Sequence, residues 1–173
     1  MSEIDGKKIT LSTLFGNEYF FKIPEYQRPY SWQKDNCEQL FDDIYESDRE
    51  SDYFLGTVIL QEVEKLGTGT KYDVIDGQQR LTTIQILLAC LRDAIESDIF
   101  KSSVQDKICQ KANPVDGLPE VMRLKVRENE VFRKYVQEIN ATNRIDDFDA
   151  ENDAQMNIKN AIIVFRNKIT GLR

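Results

Sequence analysis

The sequence predicts an α+β fold: a small mixed sheet with packed helices, followed by a mostly helical C-terminal part. Segments rich in Tyr, Phe, Val and Ile, which favour strands, concentrate before residue 76. Apolar residues recur with helical spacing over 33–46, 79–97 and 158–169. Because strand and helix patterns do not alternate regularly along the chain, the order favours α+β over a repeated βαβ arrangement.

Composition limits the classes of protein that the chain can belong to. Its 173 residues, 40% of them apolar, are enough for one domain with a core, and a net charge of -7 disfavours non-specific binding to nucleic acid. Three cysteines without paired spacing indicate buried thiols. Because neither a signal peptide nor an apolar run of about 20 residues is present, we expect a cytoplasmic protein with no membrane contact.

Histidine is absent from the sequence. Its absence excludes from this chain a Ser-His-Asp or Cys-His site, a zinc centre with histidine ligands, and a nuclease of the HNH type that uses a histidine base. Any chemistry must therefore use carboxylates, amides, hydroxyls, Lys or Arg.

The first half of the chain predicts five elements. A short helix over 10–15 precedes a strand over 19–23, which Pro24 ends. The next segment, 24–32, holds two prolines and is expected to be an extended loop, and a helix over 33–46 follows it. Residues 53–63 and 72–75, joined by KLGTGT, predict a β-hairpin, and a helix over 79–97 follows directly.

The second half predicts mainly helices. We expect helices near 102–111 and 129–139, a strand over 122–126, an acidic loop over 146–153 and a last helix with its apolar face over 158–169. The expected division is a nucleotide-binding core over residues 1–100 and a helical extension over residues 101–173 that packs on it.

The stretch YDVIDGQQRLTT, residues 72–83, carries an unusual polar load where a strand becomes a helix. The first turn of a helix has unpaired N–H groups and favours an anion, and Gly77 allows close approach to them. Arg80 offers a planar fork that matches two phosphate oxygens, and Thr82 and Thr83 add hydroxyls. These features predict a phosphate site.

Asp76 would repel a phosphate unless a cation lies between them, so its position predicts Mg²⁺. Gln78 and Gln79 are candidates to orient a water or to bind a base or ribose. The alternative is an ordinary turn, in which Asp76 caps the helix and Arg80 forms a salt bridge.

A second polar and aromatic cluster lies in PEYQRPYSW, residues 24–32. Tyr26, Tyr30 and Trp32 are candidate stacking platforms beside the amide of Gln27 and the guanidinium of Arg28. The alternative is that the aromatic rings fill the core and Arg28 is an exposed charge.

Three weaker candidates have ordinary explanations. GTGTK at 67–71 lacks the spacing of a phosphate loop and predicts a hairpin turn. Asp42 and Asp43 predict a solvated helix face. Arg123, Lys125 and Arg127 alternate as charges that protect an edge strand do, although they could also reach phosphate.

Three segments in one order carry a family resemblance: IPEYQRPYSW, then YFLGTVIL, then VIDGQQRLTT. Over residues 19–91, and more loosely in RLKVRENEVFRKYV, the chain resembles the N-terminal domain of GmrSD-type restriction enzymes, a module also found in related phage-defence proteins that recognise modified DNA. The resemblance implies a core similar to ParB and sulfiredoxin, in which a strand-turn-helix motif ending in Arg holds nucleotide phosphates.

The resemblance also implies residue roles and partners. It implies binding and hydrolysis of nucleoside triphosphates, an activity that licenses or restrains an HNH-type nuclease domain or subunit elsewhere, and the Mg²⁺ predicted from Asp76 would serve that reaction. The residues given to catalysis are Asp76, which also holds the metal, Gln78, Gln79 and Arg80. The residues given to nucleotide binding are Gln27, Arg28, Gly77, Thr82 and Thr83.

Other functions remain open at this stage. The chain could use nucleotide only as a ligand and act by contacting a nuclease partner. It could instead read modified DNA by stacking a base on Tyr26, Tyr30 or Trp32, or, least favoured, cut DNA itself. The sequence is compatible with an oligomer but does not predict whether one forms.

Overall fold

The computed structural model describes residues 5–67 and 69–172. Its strands are β1 (Tyr19–Lys22), β2 (Ile59–Leu66), β3 (Gly69–Asp76), β4 (Cys109–Gln110), β5 (Val121–Met122) and β6 (Leu124–Lys125). Its α-helices are α1 (Leu11–Leu14), α2 (Lys34–Glu46), α3 (Gln78–Ala94), α4 (Asp98–Gln105), α5 (Asn129–Phe132) and α6 (Asp153–Thr170). A π-helical turn over Arg133–Gln137 continues α5, and a 3-10 segment spans Ala141–Asp147.

A mixed four-stranded sheet lies at the centre of the fold, in the order β2-β3-β1-β6. β2 and β3 form an antiparallel hairpin, whereas β1 pairs in parallel with both β3 and β6. β4 and β5 form a separate antiparallel pair. The observed architecture is α+β with a small mixed sheet and a mostly helical C-terminal part, as the sequence predicts.

Helix α3 is buried on almost every side because it packs against both α4 and α6. Most of its residues are buried, and Leu81, Ile86 and Ala89 are at most 1% exposed. A helix that is covered all round requires partners on several faces, and α6 supplies one of them through Ile158, Ile162 and Phe165. This packing holds the first turn of α3 in a fixed position at the end of β3.

Most elements of the first half follow their sequence patterns. The structure confirms the short first helix, the strand before Pro24, the helix α2, the hairpin and the helix α3. The hairpin differs in its limits: residues 53–58 are irregular, and the two strands run to Leu66 and from Gly69, so that these residues pair directly. Residue 68 of the predicted turn lies outside the described residues.

Three predictions in the second half are wrong in detail. The helix expected near 102–111 begins earlier, at Asp98, and Cys109 and Gln110 form β4 instead. The strand expected over 122–126 is two strands, because β5 pairs with β4 while β6 pairs with β1. The helix expected over 129–139 is α-helical only to Phe132 and then becomes the π-helical turn.

The segment after residue 100 forms part of the central sheet and of the helical layer. It contributes β6 to the central sheet, and its helix α6 packs on both α2 and α3. A division near residue 100 stays a prediction. Within residues 5–67 and 69–172, no helix has the length and apolar character needed to cross a membrane.

Candidate functional site

The turn between β3 and α3 requires glycine. Gly77 has a φ of +94°, in the left-handed region, and a Cβ built on it would lie 3.1 Å from Val58 Cγ2 and 3.2 Å from the Thr57 carbonyl oxygen. Without a side chain, Gly77 cannot cap α3, and the N-cap makes no side-chain hydrogen bond. The first turn of α3 therefore keeps N–H groups and a positive dipole end available to an anion.

Two charged side chains beside this turn are free in the described part of the chain. The Asp76 carboxylate and the Arg28 guanidinium are both exposed, and neither makes a hydrogen bond or an ion pair there. Asp76 therefore does not cap α3, and its carboxylate is available to a cation.

Arg80 lies on the other side of the first turn, partly buried. Its Cζ is 5.8 Å from the centroid of the Trp32 ring, within the range of a cation–π contact. Its Nε is buried without a hydrogen-bond partner. The salt bridge that the ordinary-turn alternative requires is not formed within residues 5–67 and 69–172.

Tyr53 lies close enough to Arg80 for the charge of the guanidinium to affect its phenol. The pKa of the Tyr53 phenol is raised, first by desolvation and then by a hydrogen bond with Asp43, while the charge of Arg80 nearby acts to lower it. Asp43, predicted to lie on a solvated face, thus contacts this region through Tyr53 and also accepts a hydrogen bond from Gln39. Asp42 forms an ion pair with Lys168.

Two glutamines join the loop 24–32 to the turn. The Gln79 side chain is 8% exposed; its Oε1 accepts from the Ser31 N–H at 2.8 Å, and its Nε2 donates to the Pro29 carbonyl at 3.1 Å. Gln78 donates to Gln27 Oε1 at 3.3 Å, and Gln27 in turn donates to the Ile75 carbonyl at 3.2 Å. The fold thus brings the two sequence motifs together, with Gln79 as a clamp on the loop backbone.

Three of the predicted site residues are buried and bonded within the fold. The Thr82 and Thr83 hydroxyls donate to the backbone carbonyls of Gln78 and Gln79, at 2.7 and 2.8 Å. The Tyr30 hydroxyl lies 2.8 Å from Thr83 Oγ1, and the Tyr30 side chain is 9% exposed. Because these groups already have partners, ligand contacts by them stay predictions and would require the loop to move.

The other two aromatic candidates differ from Tyr30. Tyr26 is 73% exposed and presents an open ring, whereas Trp32 is partly buried and faces Arg80. Tyr30 therefore fits the core-filling alternative and Tyr26 does not, and a stacking role for the three rings stays a prediction.

A narrow cleft of about 20 Å³ runs beside the first turn, with room for about one water molecule. It is lined in part by Arg28, Gln78, Gln79, Thr82 and Arg127. Arg127 Nη1 donates to the Gln27 carbonyl at 2.9 Å, which places a third arginine near the turn. Because the cleft is far too small for a nucleotide, a nucleotide would have to lie over the open turn.

Arg123 corrects the expectation of a protective surface charge that could reach phosphate. It is 3% exposed and donates to the backbone carbonyls of Asp106 and Gly16 and to Asn17 Oδ1. Burial lowers the pKa of its guanidinium. Arg123 holds three chain segments together and does not face the site.

Gly56 is a residue of this region that sequence reasoning missed. It has a φ of +125°, and a Cβ built on it would lie 2.0 Å from Arg80 Nη1. An isolated glycine inside a strand-like run often marks close approach of another group. That signal was present in YFLGTVIL, where Gly56 interrupts an otherwise apolar stretch.

Comparison with known families identifies the class of protein that this fold and turn define. A sequence model described as "GmrSD restriction endonuclease, N-terminal domain" matches residues 11–171, and the chain belongs to this family. The resemblance carried by the three motifs is confirmed, and with it a role in restriction and phage defence. No curated protein matches the sequence.

Proposed function

We propose that the turn between β3 and α3 binds the phosphates of a nucleoside triphosphate with Mg²⁺, and that the chain hydrolyses it to regulate a restriction nuclease. The observation that carries the proposal is Arg80, a cation beside an uncapped helix start that has no carboxylate partner in the described part of the chain. Arg80 is partly buried, and no described carboxylate neutralises it, so a phosphate is a fitting partner for its guanidinium.

Each side chain around the turn has a role that its surroundings support. Arg80 and the first N–H groups of α3 hold phosphate oxygens, while Arg28 neutralises charge from the loop side. Asp76 would hold Mg²⁺ through its single free carboxylate, and this ion is commonly bound in proteins through one or two carboxylates together with phosphate oxygens. This donor set fits a turn where, in the described residues, no three metal-binding side chains cluster.

Gln78 and Gln79 have different roles in the proposed site because their hydrogen bonds differ. Gln79 is committed to the loop backbone and acts by holding Arg28 and Trp32 near the turn. Gln78 makes one long hydrogen bond to Gln27, so it can turn toward an attacking water at little cost. When bound, Mg²⁺ supplies charge neutralisation at the phosphates.

A second candidate function is nucleotide binding without hydrolysis, with the chain acting on a nuclease domain or subunit as a sensor. The open turn and the water-sized cleft favour it, because hydrolysis is helped by a site that excludes bulk water. In either case the DNA-cutting step belongs to another domain or subunit, because an HNH site needs the histidine that this sequence lacks.

The test measures phosphate release from each of the four nucleoside triphosphates with Mg²⁺, together with direct binding by calorimetry. Wild type is compared with Asp76→Ala and with Asp73→Ala, a matched control that removes another carboxylate of β3. We expect release by wild type and Asp73→Ala and its loss in Asp76→Ala.

The outcomes separate the two candidates. Tight binding without phosphate release by wild type would support the sensor and reject the hydrolase. Absence of both binding and release would reject the nucleotide site itself, and Asp73→Ala behaving like Asp76→Ala would reject the role of Asp76.

A further inference from the structure

Gly56 lies against the working end of Arg80. The atom nearest to a Cβ built on Gly56 is Arg80 Nη1 at 2.0 Å, followed by Cζ at 2.9 Å and Nε at 3.5 Å. Real Cβ atoms do not approach other atoms below 3.0 Å, so no other residue can stand at position 56 while the guanidinium stays where it is. The backbone at Gly56 and the Trp32 ring therefore both lie next to the guanidinium.

The backbone of Gly56 adds a second reason for glycine. Its φ of +125° lies where L residues rarely go. Together, a backbone conformation that glycine adopts without strain and the missing side chain make a slot that admits a flat guanidinium. Burial of Arg80 Nε in this slot, without a hydrogen-bond partner, shows that the slot excludes water without satisfying the group that it holds.

We propose that Gly56 is the positioning residue of the site: its missing side chain sets the place of the Arg80 guanidinium, over Trp32, from which Arg80 binds the phosphates. The proposal rests on the proposed nucleotide site for its functional meaning. Its structural part, the dependence of the Arg80 position on Gly56, can be measured without any nucleotide.

Trp32 provides that measurement because it is the single tryptophan of the sequence and the ring on which Arg80 lies. Its fluorescence reports whether the cation is in place. Gly56→Ala is expected to shift the Trp32 emission in the same direction and by about the same amount as Arg80→Ala does. In the double variant no further shift is expected, because the guanidinium that Gly56 positions is gone.

Gly117→Ala is a control for an alanine at a positive φ, while the double variant with Arg80→Ala separates displacement of the guanidinium from the greater backbone strain of alanine at φ +125°. Gly117 also has a positive φ, of +68°, but a Cβ built on it meets nothing within 4 Å among the described residues. Gly117→Ala therefore introduces a left-handed alanine without displacing a neighbour. It is expected to leave both the Trp32 emission and nucleotide binding unchanged.

Nucleotide affinity gives the functional readout. Gly56→Ala is expected to weaken binding of the preferred triphosphate by about the same factor as Arg80→Ala, on the order of tenfold or more. Adding Gly56→Ala to Arg80→Ala is expected to cause no additional loss, since the two residues act through one guanidinium.

Four results decide the matter. Unchanged Trp32 emission in a folded Gly56→Ala protein, or a further loss of affinity when it is added to Arg80→Ala, would overturn the proposal. If wild type binds no nucleotide while the emission shifts occur as expected, the positioning role stands and the proposed function fails. If Gly56→Ala alone does not fold, recovery of folding in the double variant would support the clash with Arg80, and failure to recover would refute it.

Discussion

The two ends of α3 each carry an arginine, and the protein surrounds them in opposite ways. At the C-terminal end, Arg92 is fully buried, and its five N–H groups have five acceptors: both oxygens of Asp93, Gln105 Oε1, and the carbonyls of Val136 and Gln137. At the N-terminal end, Arg80 has an aromatic ring, a glycine and a buried Nε without an acceptor.

Arg92 also completes the end of the π-helical turn. The last carbonyls of a helix have no partner within it, and Arg92 and Gln105 supply donors to those of Val136 and Gln137. Asp93 accepts in turn from the N–H groups of Asn140 and Thr142. The fold supplies an acceptor to every N–H group of Arg92 but leaves the Nε of Arg80 without one. This difference between the two arginines is the physical reason for proposing that Arg80 binds a ligand.

The same substitution at both ends gives the largest expected effect. Arg92→Met leaves the Asp93 carboxylate buried without its cation, and we expect it to lower the free energy of unfolding by about 3–5 kcal/mol. Arg80→Met removes no ion pair; it loses the cation–π contact with Trp32 and removes a buried Nε that has no partner, so we expect a change of less than about 1 kcal/mol. Urea denaturation followed by circular dichroism measures both, and equal losses would remove the distinction between the two arginines.

Binding is expected to reverse that order. If Arg80 contacts phosphate as proposed, Arg80→Met should weaken nucleoside triphosphate binding by about 1.5–3 kcal/mol, measured by calorimetry with Mg²⁺. The exposed Arg49, in the loop after α2, offers a control, since Arg49→Met should bind as wild type does. Unchanged affinity in Arg80→Met would reject the role of Arg80.

A smaller effect tests the glutamine clamp. Gln79→Ala leaves the Ser31 N–H and the Pro29 carbonyl without their partner, and we expect a loss of about 1–3 kcal/mol in the free energy of unfolding. Gln78→Ala loses only the 3.3 Å contact with Gln27 and should cost less. A stable Gln79→Ala protein that has lost phosphate release would instead assign Gln79 a direct catalytic role.

The smallest expected effect comes from the three buried cysteine thiols. Burial raises the pKa of the thiols of Cys37, Cys90 and Cys109 above the value in the unfolded chain. The protonated thiols therefore stabilise the fold fully below roughly pH 8.5, and this contribution is lost as the pH rises beyond it. We expect the urea midpoint to fall between about pH 8 and pH 10, and less so in Cys90→Ala.

Much of the fold follows from local patterns. The apolar stripes of α2, α3 and α6 predict helices because each buries one or more faces, and Gly77 marks the turn because only glycine takes its backbone conformation without strain. The junction of the 24–32 loop with the turn was open in the sequence, since it depends on hydrogen bonds between residues about 50 positions apart.

The errors come from contacts that no local pattern encodes. Arg123 resembles a surface charge, yet it is buried and bonded to carbonyls of two other segments, at the point where the predicted strand divides into β5 and β6. For Tyr30 the sequence left a stacking platform and a core ring both open, and its burial against Thr83 on α3 depends on a contact between distant residues. Gly56 was overlooked because its neighbour Arg80 is distant in sequence, although a glycine within a strand-like run is a signal that sequence reasoning can use.

The position of β1 inside the sheet has a consequence for synthesis of the protein. β1 leaves the ribosome early, but its two parallel neighbours follow much later, with Tyr19 pairing with Thr70 and Phe21 with Leu124. The apolar surface of α3 is covered only after α6 has been translated and packs on it. Such long-range pairing makes folding slow, and the nascent turn with Asp76 and Arg80 gains its lasting shape only after nearly all of the residues described have been translated.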